Sequence, residues 1–372
     1  MARVNDKAAQ GKVGASMSGL LLVDKPQGWT SHDAVARTRR LAGTRKVGHA
    51  GTLDPMATGL LILGINSSTR LLTYVVGLDK EYRATIRLGA STTTDDAEGE
   101  ELARASVDAV AAITPEAVAA GIDALTGDIA QQPSSVSAIK IDGKRAYARV
   151  RAGEAVDLPA RPVTVSAFEL LSTSVADGFL DLDVRVECSS GTYIRALARD
   201  LGAALSVGGH LTSLRRTRIG PFGVDRAQPL AELDVAAGLI GPTDAATRIL
   251  GRLDLTEQQA VDLAHGKRIA VDAASREAGA DGAPGAAAPV GPIAAVAPDG
   301  RLVGLVEYRG DHAKSLLNFP PDEAFTAPPT EAPRTEAPRT GAPPTEAPRT
   351  GAPPTEAPRA EAPPTEAPEA TE

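Results

Sequence analysis

Two segments in which apolar and polar residues alternate constrain the fold of this chain most. Between 80 and 89 every second residue is apolar, from Tyr82 to Leu88, and from 180 to 188 the alternation is stricter still. A period of two is typical of a strand with one buried face. Segments of helical period stand between such strands without a regular βαβ rhythm. The sequence therefore predicts an α+β fold with a mixed, largely antiparallel central sheet flanked by helices.

The most specific helix prediction follows a short apolar strand at 19–24. Thr30 is a type of residue that caps helix N-termini, and Asp33, three residues on, completes a capping-box pattern. Gly43 ends this helix. Further helices are predicted after Thr114-Pro115, from 194 to 205 and from 256 to 264.

The chain is long enough for two folded domains and has low-complexity ends. Residues 1–17 are polar and Gly/Ala-rich and are predicted to be flexible. A main domain is predicted at 18–248, and a smaller, partly β module at 249–320 with a flexible Ala/Gly/Pro-rich insert at 273–292. The tail 321–372 is a Pro/Ala/Thr/Glu-rich repeat without apolar bulk. It cannot offset its ordering entropy and is predicted to be disordered.

Composition argues against several classes of protein. No apolar run approaches the roughly 18 residues that span a membrane. Residues 1–17 lack the apolar core of a secretory signal. Cys188 is the only cysteine, so an intramolecular disulfide is impossible and a reducing, cytoplasmic location is expected.

The net charge of −8 hides local clusters of bases. Residues 322–372 carry −6 of that charge, so the rest of the chain is close to neutral. Bases concentrate between Arg37 and Lys46 and again between Arg215 and Arg218. Such clusters are either solvated faces or phosphate contacts, and charge alone favours the solvated faces. Arg37 and Arg40 are predicted to point toward solvent or a polyanion.

The segment from Gly48 to Pro55 is the most unusual in a chain without cofactor motifs. The sequence has no phosphate-binding Gly-rich loop, dinucleotide fingerprint or Cys/His metal spacing, so we expect a site without cofactor or metal. Gly48 and Gly51 permit close backbone approach, and Pro55 holds Asp54 in an extended conformation. Taken alone, an Asp before Pro is more often a turn residue than a catalyst. The acidic residues Asp95, Asp96 and Glu98 are interpreted as a solvated turn.

Six motifs between residues 18 and 225 resemble, in order, those of the TruB-type pseudouridine synthases. The most specific is Gly48-His49-x-Gly51-Thr52-Leu53-Asp54-Pro55-x-Ala57-Thr58-Gly59. The others are Asp24-Lys25-Pro26-x-Gly28-x-Thr30-Ser31, Lys80-x-Tyr82-x-Ala84, Gln132-Pro133-x-x-x-Ser137-Ala138-x-Lys140 followed by Gly143-Lys144-x-Ala146-Tyr147, Cys188-Ser189-x-Gly191-Thr192-Tyr193-Ile194-Arg195, and His210-Leu211-x-x-Leu214-Arg215-Arg216-Thr217. Val136 departs from the family, which often has an aromatic residue there. The match to 249–320 is weaker, where the family carries a small PUA or PUA-like RNA-binding module.

The resemblance implies the pseudouridine synthase fold and the isomerisation of uridine 55 in the T loop of tRNA to pseudouridine. Asp54 is then the catalytic carboxylate and Arg195 its cationic partner. Tyr82 stacks on the uracil and helps remove its C5 proton. The residues implied to bind the flipped-out nucleotide are His49, Tyr193, Leu214 and Lys25. Those implied to contact phosphates are Arg40, Arg45, Lys46, Arg215 and Arg216.

The implied partner is the T stem-loop of tRNA, bound by a monomer without cofactor, metal or membrane. Tyr82 can also be read as an ordinary core residue, because both roles place it on the buried face of its strand. An RNA-binding or tRNA-folding module without chemistry, and a synthase for another RNA, stay open as alternatives. Which atom Asp54 attacks also stays open, since every route needs an ionised carboxylate in a water-poor pocket.

Overall fold

The computed structural model describes residues 17–134, 140–141, 144–145, 158–272 and 291–320. The predictions of a flexible N-terminus, a flexible insert from 273 and a disordered tail from 321 concern residues that lie almost wholly outside these ranges. So do Val136 and most of the motif around it.

The strands of the described residues form one large sheet, one smaller sheet and two short hairpins. Their bounds are β1 Gly19–Lys25, β2 Val47–Ala50, β3 Thr58–Ile65, β4 Lys80–Leu88, β5 Ala90–Thr92, β6 Glu101–Arg104, β7 Gly127–Gln131, β8 Lys140–Ile141, β9 Lys144–Arg145, β10 Arg161–Ala176, β11 Phe179–Cys188, β12 Gly209–Ile219, β13 Phe222–Gly223, β14 Gln228–Pro229, β15 Leu239–Ile240, β16 Gly251–Asp254, β17 Ile269–Ala270, β18 Ile293–Val296, β19 Leu302–Arg309 and β20 His312–Asn318. The main sheet has the order β14-β1-β3-β12-β4-β11-β10-β7, with β2, β13 and β15 paired at its sides. Its pairs are antiparallel except β1 with β14 and β3 with β12, which confirms a mixed, largely antiparallel sheet.

The helices accompany the sheets as expected of an α+β fold. Their bounds are α1 Ser31–Ala42, α2 Leu72–Gly77, α3 Val107–Ala111, α4 Pro115–Ala124, α5 Ile194–Ala204, α6 Val235–Gly238, α7 Pro242–Thr247 and α8 Glu257–Ala264, with short 3-10 turns at Asn66–Leu71, Val224–Arg226 and Leu230–Glu232. The predicted capping box of α1 is present: the Thr30 hydroxyl accepts from the Asp33 N–H at 3.1 Å, and the Asp33 carboxylate accepts from the Thr30 N–H at 2.9 Å. Gly43 ends α1 with φ 63°.

The alternating segments become the centre of the main sheet. On β4, Tyr82, Ala84, Ile86 and Leu88 are buried, as predicted. They lie in one apolar core with residues of β11 and α5. The antiparallel register places Tyr82 opposite Val186 on β11 and, on its other side, opposite Arg216 on β12.

The smaller sheet packs against the main one through an apolar cluster. It has the order β16-β18-β19-β20-β17, and Pro298-Asp299-Gly300 lie in the turn of its antiparallel β18–β19 hairpin. Ala294, Leu305 and Phe319 of this region share a core with Leu20 and Leu60 of the main sheet. In the described residues, no helix is long and apolar enough to cross a membrane.

The prediction for Arg37 is wrong, whereas Arg40 is exposed as expected. The Arg37 guanidinium donates to the carbonyl oxygens of Leu230 and Ala231 at 2.8 and 2.7 Å. It therefore ties α1 to the 3-10 turn at Leu230–Glu232 instead of facing solvent.

Candidate active site

A cavity of about 260 Å³ brings together five of the predicted catalytic and nucleotide-binding residues from four separate parts of the chain. Asp54 comes from the β2–β3 loop, Tyr82 from β4, Tyr193 and Arg195 from the start of α5, and Leu214 from β12. The structure thus brings together five side chains that are up to 160 positions apart (Asp54 to Leu214). Two further cations, Lys80 and Arg216, complete its wall.

Hydrogen bonds to the backbone on both sides of Asp54 fix the loop that carries it. The Ser31 hydroxyl accepts from the Leu53 N–H at 2.9 Å and lies 3.2 Å from the Leu53 carbonyl oxygen. The Gly28 N–H donates to the Pro55 carbonyl oxygen at 2.8 Å, and the Ala57 N–H donates to that of Asp54 at 3.1 Å. Because the backbone on both sides of Asp54 is bonded, its carboxylate is presented at a fixed position.

Arg195 is a buried cation held between two carboxylates. Its side chain is 5% exposed, with one guanidinium nitrogen 3.0 Å from the Asp54 carboxylate and another 3.3 Å from that of Asp96. It also donates to the Thr94 carbonyl oxygen at 2.8 Å. Three acceptors therefore orient the guanidinium, and the Asp54 carboxylate, 37% exposed, gains a positive partner at the cavity wall.

The interpretation of residues 95–98 as a solvated turn is wrong for both aspartates. Asp96 is 3% exposed, and its second oxygen accepts from the Thr94 hydroxyl and the Glu98 N–H. Asp95 pairs with Arg199 at 3.5 Å and accepts from the Ser134 hydroxyl at 2.6 Å. The sequence has no Lys or Arg close to this pair of adjacent aspartates. That absence could have indicated that their cationic partners come from a distant part of the chain.

Arg216 is not an exposed phosphate contact, contrary to the implied role. It is 1% exposed and donates to the carbonyl oxygens of Leu60, at 2.8 Å, and Gly51, at 3.1 Å. The strands β3 and β12 can approach so closely because position 59 is glycine: a Cβ there would lie 2.2 Å from the Arg216 carbonyl oxygen, at φ +98°. Arg216 is the residue of β12 opposite Tyr82.

Tyr82 is buried at 7% exposure and faces the cavity, where it can serve both packing and chemistry. Burial raises the pKa of its phenol, and the charge and hydrogen-bonding contact of Arg216 oppose that rise.

Lys25 is buried and holds backbone rather than projecting into the cavity. Its ammonium donates to the carbonyl oxygens of Trp29 at 2.7 Å, Pro26 at 3.0 Å and Pro55 at 3.5 Å. It therefore joins the first motif to the Asp54 loop, and the implied direct contact with the nucleotide does not fit this placement. Burial lowers its pKa to about 8, although the charge of Asp54 acts in the opposite direction.

Lys80 lines the cavity, although the sequence analysis gave it no role and named it only as part of a motif. It is 6% exposed and donates to the carbonyl oxygens of Leu78 at 2.6 Å and Val76 at 3.0 Å. Burial, reinforced by the charge of Arg216, lowers the pKa of Lys80 to about 8.

The other implied nucleotide-binding residues differ in placement. Tyr193 and Leu214 line the cavity, and two bonds between the Gln131 amide and the Tyr193 backbone fix the turn that precedes α5. His49 is half-buried on β2, with its ring 5.6 Å from that of His32. Burial lowers the pKa of His49, and its Nδ1 has no hydrogen-bond partner among the described residues.

The implied phosphate contacts fall into two groups. Arg40, Arg45 and Lys46 are exposed at the end of α1 and in the turn that follows. Arg215 is half-exposed, but both of its terminal nitrogens already contact the Asp24 carboxylate, the shorter distance being 2.6 Å. Arg40, Arg45 and Lys46 are thus the implied phosphate contacts that are both exposed and without a carboxylate partner among the described residues.

No group of three His, Cys, Asp or Glu side chains within the described ranges is placed to hold a metal ion.

Three family models together match most of the folded chain. The TruB family pseudouridylate synthase N-terminal domain matches residues 39–194. The tRNA pseudouridylate synthase B C-terminal domain matches 195–250, and the tRNA pseudouridine synthase II C-terminal model matches 250–320.

Curated relatives and solved structures agree with these models. The tRNA pseudouridine synthase B of Leifsonia xyli subsp. xyli is 66% identical over 306 residues, which cover 82% of this chain and 98% of the relative. That of Arthrobacter sp. is 57% identical over 307 residues, covering 82% and 97%. A structure titled as an H/ACA RNP bound to a substrate RNA containing 2′-deoxyuridine shares the fold with a TM-score of 0.59 at 22% identity, covering 83% of this chain and 87% of that one. With its fold, its cavity and these relatives, the chain belongs to the TruB family of pseudouridylate synthases.

Proposed function

We propose that this protein converts uridine 55 in the T loop of tRNA to pseudouridine, with Asp54 as the catalytic carboxylate. The observation that carries the proposal is the ion pair of Asp54 with Arg195 beside Tyr82 in one cavity, with the buried carboxylate of Asp96 held against the same guanidinium. RNA binding alone does not require a buried guanidinium, here that of Arg195, paired with a carboxylate in a cavity, here that of Asp54. The curated relatives named tRNA pseudouridine synthase B support the tRNA substrate.

The proposed reaction is an isomerisation that balances without a cofactor. The N1–C1′ bond of the nucleotide breaks, the uracil rotates, and a C5–C1′ bond forms. C5 then loses its proton, the C5–H bonding pair restores the C5=C6 double bond, and N1 takes up a proton. Asp54 acts at the ribose as a carboxylate, and the Arg195 guanidinium, 3.0 Å away, orients it.

The cavity suits a single extruded base better than a base within a folded loop. Its walls combine an aromatic ring, an apolar side chain and charged groups, from Tyr82, Leu214 and Arg195 respectively. Flipping a base out of its stack costs a few kcal/mol, which contacts to the base and to the phosphates must offset. The exposed cluster of Arg40, Arg45 and Lys46 is proposed to supply phosphate contacts.

We also propose that residues 18–248 form the catalytic domain and 249–320 a PUA-like RNA-binding module. In support, the main sheet uses strands between Gly19 and Ile240, and the smaller sheet uses strands between Gly251 and Asn318. The boundary between the last two family models also lies at 250.

The catalytic assignment is tested with Asp54→Asn, which keeps the size of the side chain and removes its charge. We expect no pseudouridine to form while tRNA binding stays nearly unchanged. Asp79→Asn is a matched control, because Asp79 is ion-paired to Arg218 outside the cavity. Turnover by Asp54→Asn at the wild-type rate would refute the assignment. Mapping pseudouridine in total RNA with and without the protein tests position 55 and reveals any other target.

A further inference from the structure

Arg216 is a buried cation whose charge the protein itself leaves uncompensated. Its guanidinium donates to the carbonyl oxygens of Leu60 and Gly51, and no carboxylate pairs with it among the described residues. Burying a cation without a paired anion lowers the stability of the fold, because the charge loses its hydration. A protein gains from such a cation where a negative charge develops next to it during the reaction. Arg216 lies on the wall of the cavity, which is where such a charge can arise.

The geometry directs this charge at Tyr82. The two residues are cross-strand partners on β12 and β4, and both line the cavity. Side chains directly opposite on one face of an antiparallel pair lie close together. The contact between the guanidinium and the phenol therefore follows from the strand register and does not depend on a mobile loop.

We propose that Arg216 is a positioning residue that stabilises the phenolate form of Tyr82, which removes the C5 proton of the uracil. This inference rests on the proposed role of Tyr82 as the base of the reaction. The proton passes from C5 to the phenolate oxygen, the C5–H electron pair re-forms C5=C6, and N1 gains a proton, so no oxidant or reductant is needed. Without a neighbouring cation, a phenol this deeply buried holds its proton too tightly to act as a base, since burial raises its pKa.

The test compares Arg216→Gln, which removes the charge, with Arg216→Lys, which keeps it. The single-turnover rate is measured on tRNA that carries either hydrogen or deuterium at C5 of the target uridine. For Arg216→Gln we expect the rate to fall by roughly a hundredfold, the lower end of the range of about 10²–10⁴ that general acid–base catalysis supplies. Its isotope effect should rise above that of the wild type, because C5 deprotonation becomes limiting. Arg216→Lys should keep an isotope effect close to the wild-type value.

Lys25→Met is the matched control for a purely structural role. Lys25 is also a buried cation bonded to backbone carbonyl oxygens, but it holds the Asp54 loop and does not line the cavity. Its loss should slow the reaction without raising the isotope effect. An Arg216→Gln variant that is slow with an unchanged isotope effect, or one with the wild-type rate, would overturn the proposal.

A second measurement does not depend on turnover. The ultraviolet absorbance of tyrosinate is titrated in the wild type and the Arg216 variants, and Tyr82→Phe identifies the contribution of Tyr82 among the five tyrosines of the chain. The ionisation of Tyr82 should move to higher pH in Arg216→Gln and stay near the wild-type value in Arg216→Lys. An unmoved titration in Arg216→Gln refutes the inference. A wild-type rate in Tyr82→Phe refutes instead the proposed role of Tyr82.

Discussion

Replacing Asp96 by Asn tests whether the second carboxylate at Arg195 is part of the catalytic arrangement. One Asp96 oxygen accepts from the Thr94 hydroxyl and the Glu98 N–H, and the other faces Arg195 at 3.3 Å. An Asn that keeps the first pair of bonds therefore turns an amide donor toward the guanidinium. At 3.3 Å and an effective dielectric of about 20, the lost attraction is about 5 kcal/mol before desolvation is counted.

The net cost is smaller, because Arg195 keeps its contacts with Asp54 and the Thr94 carbonyl oxygen. Breaking a buried pair costs about 3–5 kcal/mol, so we expect about 3 kcal/mol of unfolding free energy to be lost. For a domain of this size that lowers Tm by on the order of 6 °C. A displaced Arg195 should also reduce kcat about 100-fold.

The assays are thermal unfolding and single-turnover pseudouridine formation on purified tRNA. Glu98→Gln is the control, because Glu98 is an exposed acid of the same turn without an ion-pair partner among the described residues. It should leave both Tm and kcat close to the wild-type values. Wild-type stability and wild-type kcat in Asp96→Asn would refute the reasoning that Asp96 orients Arg195.

Three further predictions concern buried lysines, exposed bases and the tail. Lys25 and Lys80 titrate near 8 when folded and near 10.5 when unfolded, so the unfolded state binds more protons in between. Between pH 8 and 10 the unfolding free energy should therefore rise with pH, and each lysine should contribute up to about 1.4 kcal/mol per pH unit to that rise. Urea unfolding at several pH values should show a smaller rise in Lys25→Met and in Lys80→Met than in the wild type. Replacing Arg40, Arg45 and Lys46 together by Gln should lower the slope of log affinity for tRNA against log salt by about 2 to 3, and an unchanged slope would remove them from the interface. Deleting 321–372 should leave the rate on purified tRNA unchanged, and a large loss would assign the tail a function.

Local patterns predicted most of the elements, because each depends on residues close in sequence. The alternation around Tyr82 requires only that one face of a strand be buried, and the capping box at Thr30 is complete within four positions. The resemblance singled out Asp54, and the structure places it in a cavity with Arg195. These results depend on hydrophobic periodicity and on motif residues that the sequence displays directly.

The resemblance implied the pair of Asp54 with Arg195, but how the other buried charges are partnered was decided only by the tertiary structure. Asp96 reads as a solvated acid and Arg216 as a surface base, yet both are buried, and their partners lie far away in sequence: Arg195 for the first, the carbonyl oxygens of Gly51 and Leu60 for the second. The physical reason is that the free energy of a buried charge depends on the groups around it in space. The sequence by itself determined the strands, the caps and the presence of Asp54. The packing of β12 against β3 and β4 decided that Arg216 lies opposite Tyr82, and the position of the start of α5 decided that Arg195 lies between Asp54 and Asp96.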